Sequence, residues 1–284
     1  MVHINFVIFV DWLIHGNVNV GRRVYGVTQL HNVVYIVCDR SSPILRLDGT
    51  THQLLTHIVV KDLRRPFDIV ACEQTSQLYV ADCPQWPGDG WYDDRCIWRV
   101  STDGTDIERW LSKSPSDTFT PGSLSVTSAR LLVTSCDPRY QLIQFNSVGD
   151  EVMRVQLPDD MRPHHAVETA TATFVVSRLN LQLNQHQIVE VNNVGEVLRQ
   201  FSGPRLSSLG RTRHIAVDSR GNILVADCDN SCIMLLDSRL TLRRTIINKL
   251  NYKPWRLCYN EQSGQLLVGL LDRGGVAVFD VLCR

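Results

Sequence analysis

His214-Ile215-Ala216-Val217-Asp218-Ser219-Arg220-Gly221-Asn222-Ile223-Leu224-Val225-Ala226-Asp227 reads as two short strands joined by a tight turn. Both apolar runs are brief and rich in β-branched residues, and Ser219-Arg220-Gly221-Asn222 supplies the turn chemistry, with Gly221 free to take a positive φ. The chain continues through Asp229-Asn230 into a third apolar run, Ile233-Met234-Leu235-Leu236-Asp237. The same layout recurs from Pro66-Phe67-Asp68-Ile69-Val70-Ala71 through Gln77–Asp82 to Cys96–Val100. It recurs again from Pro254-Trp255-Arg256-Leu257-Cys258-Tyr259 through Gly264–Gly269 to Gly275–Phe279. Weaker copies begin at Val24, Pro121 and Pro163.

The first apolar residues of the copies are Val27, Ile69, Leu124, Ala166, Ile215 and Leu257, spaced 42, 55, 42, 49 and 42 residues apart. Three equal intervals mark a true repeat, and loop insertions absorb the two longer ones. A four-strand unit of about 40–45 residues is a propeller blade. The expected fold is therefore all-β: a single six-bladed β-propeller with blades near 24–62, 63–112, 118–158, 160–203, 210–248 and 252–284 plus 3–15. The last blade runs out of chain after three strands. The apolar run Ile4 to Ile14 is free to supply the fourth, which would close the ring and remove open edges.

Residues 214–237 resemble the NHL repeat, whose core reads I-A-V-D-x-x-G-N-I-x-V-A-D-x-x-N-x-R-I. Ile215 through Asp227 follow it almost position by position, and Asn230 and Ile233 continue the match. Cys232 stands where the repeat usually has Arg, and Cys96 departs in the same way. The resemblance implies a propeller of a kind found in several settings. One is the partner- or RNA-binding module of tripartite-motif proteins. Another is a peptide-amidating lyase with a channel metal, and related six-bladed propellers include calcium-dependent hydrolases. Fold alone does not choose among them.

The 284 residues carry 29 basic and 29 acidic side chains, so no global field exists to hold nucleic acid. The apolar start is too short to span a bilayer and lacks a basic flank, so no membrane association is expected. Nine cysteines, an odd number spread from Cys38 to Cys283, fit reduced thiols in a cytoplasmic protein better than a disulfide framework. No P-loop, nucleophile elbow, H-E-x-x-H or dinucleotide fingerprint occurs.

Four groups of residues stand out. Gly26, Asp68, Ser123, His165, His214 and Arg256 fall at equivalent places just before the innermost strands, with Tyr25, Phe67, Gly122, His164, Arg213 and Trp255 as neighbours. Such a ring is expected at one mouth of the channel. Asp68 with His165 and His214 suggests a metal or acid–base site, which Arg256 opposes. Phe67, His164, Arg213, His214, Trp255 and Arg256 combine aromatic and cationic groups that suit a protein hot spot or stacked bases. The second group is the insertion 84–94, whose Trp86, Trp91 and Tyr92 either pack on a neighbouring blade or form a recognition loop. The third is two cysteine pairs, Cys83 with Cys96 and Cys228 with Cys232, read as semi-buried thiols before disulfides or a metal clip. The fourth is Asp39, Asp82 and Asp227, which end the second strands and are expected to accept hydrogen bonds from turn amides.

The expected function is a non-enzymatic, protein-binding scaffold with no cofactor and no bound metal. RNA binding on the same face is one alternative, and a metal-dependent hydrolase or lyase in the channel is another.

Overall fold

The structure is a computed structural model, and it describes residues 4–7, 23–39, 43–83, 95–112, 120–135, 139–201, 210–248, 250, 252–272 and 275–281. These form 24 strands, numbered in chain order, arranged as six four-stranded antiparallel sheets. No helix occurs among them. The innermost strands of the six blades are β2 (Val24–Leu30), β6 (Pro66–Cys72), β10 (Pro121–Thr127), β14 (Met161–Glu168), β18 (Thr212–Val217) and β22 (Pro254–Asn260). In each of the first five blades the four strands follow one another outward in sequence order.

The sixth blade is closed from the other end of the chain. Strand β1 (Ile4–Val7) pairs antiparallel with β24 (Val276–Val281), in the register Ile4↔Val281 to Val7↔Val278. The closing strand is thus the N-terminal one, as the apolar start of the sequence leads one to expect.

The apolar core is six wedges rather than one centre. Each wedge is built from the facing sheets of two neighbouring blades. Blades one and two share Tyr35, Val37, Ile44, Ile69, Leu78, Val80 and Trp98. Blades six and one share Val24, Val27, Ile36, Leu267, Val276 and Val278, which seals the circle. Strand alternation explains the arrangement: each middle strand is buried on both faces, while the outermost strands expose most of theirs.

Blades one and two approach closely at the axis, and Gly26 sits at that contact. A Cβ there would lie 2.7 Å from the Ile69 backbone nitrogen and 2.8 Å from side-chain carbons of Ile69 and Val37. Backbone cannot give way cheaply, so Gly26→Ala is expected to destabilise the fold by about 1–3 kcal/mol through overpacking. Chemical denaturation of the variant and the parent measures it; an unchanged midpoint would mean that blades one and two are not in contact at the axis.

Candidate functional site

Every innermost strand carries the same irregularity. Pairing with the second strand slips by one residue between Val24 and Gly26, Pro66 and Asp68, Pro121 and Leu124, Pro163 and His165, Thr212 and His214, and Pro254 and Arg256. One extra residue is therefore bulged out of each ladder, and a bulge re-aims the side chain it carries. Proline precedes the bulge in four of the six blades. That is a strand position where its missing N–H costs the ladder little.

The bulged residues are Tyr25, Phe67, Gly122, His164, Arg213 and Trp255. All six line one cavity of about 530 Å³ at the mouth of the channel, a size typical of ligand pockets. Arg23, Arg65, Arg162 and Asp39 also line it. Tyr25, Phe67 and Trp255 come from three consecutive blades and form an aromatic wall, with ring centroids 6.0 and 6.2 Å apart. His164 and Arg213 face them from the other side, and Arg213 lies over the Trp255 ring at 5.0 Å. Gly122 adds no side chain, because a Cβ there would sit 2.7 Å from Thr134 Oγ1 and 2.8 Å from its carbonyl oxygen.

The other ring of equivalent residues is not at the mouth. Gly26, Asp68, Ser123, His165, His214 and Arg256 are all buried, one residue deeper along each strand. This corrects the expectation that they form the rim: strand alternation past the bulge turns them inward as a plug. Their polar atoms are engaged by neighbouring blades. Asp68 accepts hydrogen bonds from the Ile69 and Leu124 amides, both at 3.0 Å. Ser123 Oγ donates to the His164 carbonyl at 2.6 Å. His165 Nε2 donates to the Leu124 carbonyl at 3.1 Å, and its Nδ1 faces the Ile215 amide at 3.5 Å. His214 Nδ1 accepts from the Leu257 amide at 3.3 Å and the two imidazoles stack at 3.7 Å.

Arg256 completes the plug by crossing the axis. Its Nε donates to Asp68 at 3.2 Å and its Nη2 to the Phe67 carbonyl at 3.0 Å, reaching from the sixth blade past the first to the second. Gly26, the first blade's member of the ring, puts no side chain in the way. Burial raises the Asp68 carboxyl and lowers the Arg256 guanidinium, and their mutual attraction opposes both shifts.

Asp68, His165 and His214 do bring one ligand-type atom each to within 4.8 Å of one another. They do not suit a cation. A metal would have to displace Arg256 from Asp68 and take a His165 nitrogen that already serves a backbone group. A buried cation beside Arg256 would also be repelled.

The remaining predicted residues fall as follows. Asp82 accepts the Arg64 and Arg65 amides at 3.0 and 2.7 Å, and Asp227 accepts from the Asn230 amide and side chain. Asp39 differs: it lines the cavity, and its Oδ1 is buried without a partner. Cys83, Cys96, Cys228 and Cys232 are buried. Cys228 is a free thiol, so its pair is not bridged, and burial pushes it up to about 11, which makes it inert. Trp86, Trp91 and Tyr92 lie outside the described residues.

No family model matches the chain, and no curated protein matches it. Solved structures do. Virginiamycin B lyase from Staphylococcus aureus superposes with a TM-score of 0.65 at 12% identity, over 99% of this chain and 100% of that one. Hydrazine synthase of Kuenenia stuttgartiensis gives 0.64 at 14% identity, over 92% and 84%. A nidogen/laminin complex gives 0.63 at 14% identity, over 83% and 84%. The chain is a six-bladed β-propeller. At such identities the likeness is one of fold, and the three proteins differ in what they do.

The buried histidines make stability depend on pH. Burial, followed by neighbouring cations, lowers His165 to about 3 and His186 to about 4, and holds His164 and His214 far below the ordinary value. Below pH about 6.5 the unfolded chain takes up protons that the folded one refuses, so stability is complete above that pH and declines toward 3. In His165→Gln the slope of stability against pH between 6 and 4 is expected to fall by about 1.4 kcal/mol per unit. Denaturation across that range tests this; an unaltered slope would show that His165 is not held neutral.

Proposed function

We propose that the chain is a non-enzymatic binding module of the NHL-propeller kind, that its recognition surface is the channel mouth, and that its partner is a protein. One observation carries this reading. Six equivalent bulges line a single cavity, five of them with side chains, while the acid–base groups beneath are engaged in inter-blade hydrogen bonds. A catalytic site needs a group free to exchange protons near neutral pH. Here the imidazoles are held neutral, and the one carboxylate among them is clamped by an arginine.

The rim has the composition of an interface anchor. Trp, Tyr and Arg are the residues that most often carry binding energy at protein interfaces, and three of the six bulge positions hold one of them. The NHL assignment rests on the run Ile215–Asp227 and on the propeller it sits in. Free thiols at the buried Cys72 and Cys228 and the half-buried Cys258 suit a reducing, cytoplasmic setting. A second reading, single-stranded RNA on the same face, draws on Arg213 stacked over Trp255.

The test is affinity capture from the native lysate on two resins, one with the parent propeller and one with Arg162→Gln/Arg213→Gln. Proteins retained by the parent, insensitive to nuclease and reduced at least about tenfold on the variant resin are expected. The same proteins on both resins would remove the mouth as the surface. Loss after nuclease treatment would move the function to RNA.

A further inference from the structure

Charge at the mouth is one-sided although the chain as a whole is neutral. Arg23, Arg162 and Arg213 line the cavity beside a single acidic side chain, Asp39, and Arg256 and Asp68 beneath cancel each other. The cations crowd one another: burial first, then Arg211, Arg256 and Arg162, lower Arg213 to about 10, which still leaves it charged at neutral pH. Just beyond the rim the charges are matched, as where Arg211 meets Asp229 at 2.9 Å.

The wall also holds donors with nothing to donate to. Trp255 is 8% exposed, and its indole Nε1 has no acceptor. Arg213 Nε and His164 Nε2 are likewise buried without partners. His164 Nδ1 accepts from Arg213 Nη1 at 3.1 Å, so its proton sits on Nε2 and all three atoms are N–H donors. Unmet buried donors are costly, and an entering acceptor would remove that cost. The three belong to adjacent blades four, five and six, beside the aromatic wall.

Resting on the binding reading above, we infer that the mouth takes an acidic peptide segment, with a carboxylate on the Arg213–Trp255–His164 side and an adjoining large apolar side chain against Tyr25 and Phe67. Guanidinium and indole N–H groups suit a planar carboxylate. A peptide fits better than RNA for two reasons. The cations are gathered in one funnel instead of laid along a track at phosphate spacing. The three aromatic rings lean on each other and present one apolar patch, where successive bases need separate platforms.

Short random peptides displayed on phage and selected on the intact propeller provide the test. The expected consensus pairs Asp or Glu with a neighbouring Phe, Tyr, Trp or Leu. The best synthetic peptide, followed by fluorescence anisotropy, should lose at least about tenfold in affinity when its acid becomes Asn or Gln. It should lose as much against Arg162→Gln/Arg213→Gln, whose melting temperature serves as the folding control. An uncharged or basic consensus that still needs Trp255 would overturn the acidic ligand and leave the binding reading intact. An acidic consensus unaffected by the arginine substitutions, or no enriched peptide, would also overturn it. Oligouridylate binding more tightly than any peptide at physiological salt would overturn both.

Discussion

Six inner strands, each with one edge turned toward a narrow axis, set the constraint from which the rest follows. An inner edge has no further strand to pair with, and its N–H and C=O groups are too enclosed for bulk water to serve them all. The chain meets this with side chains passed from blade to blade. Thr28 takes the Ala71 amide, Asp68 the Leu124 amide and His214 the Leu257 amide. Ser125 and Ser177 donate to the carbonyls of Ala166 and Thr212. The buried polar residues of the axis are therefore structural ties between neighbouring blades, and Arg256 adds one long tie between blades that do not touch in sequence order.

That division of labour separates structure from recognition within two adjacent residues of each strand. His165 ties blades, and His164 faces the cavity; Arg256 spans the axis, and Trp255 faces the cavity. A metal site and a peptide or nucleotide site would draw on different rings. Similarity of fold to a lyase and to a nidogen/laminin complex is compatible with this, because a propeller fixes where side chains are presented and leaves their chemistry open.

The repeat phase was legible because it is written locally: short β-branched runs, turn residues such as Gly221 and Asn222, and equal intervals between Val27 and Ile69 and between Ile215 and Leu257. The closing strand was legible by counting, since three strands of the last blade had no fourth. The depth of the two rings was not. A bulge is a mismatch between two strands, and neither strand's sequence shows it alone. The recurring Pro before Phe67, Gly122, His164 and Trp255 was the available sign. The Arg256–Asp68 contact spans 188 residues and passes a whole blade, so no local pattern announces it, although Arg256 already weighed against a cation in the ring. Asp39 was expected to act like Asp82 and Asp227, yet its carboxylate belongs to the mouth instead.

Each bulge takes one residue out of the hydrogen-bonding ladder while the residue beside it stays locked in the axis. Five of the six such positions carry side chains of quite different size and charge on an unaltered backbone pattern, and Gly122 is confined by its neighbour Thr134. The mouth therefore works like a short word spelled one letter per blade: letters can be exchanged singly, by drift or by design, without rewriting the scaffold that displays them.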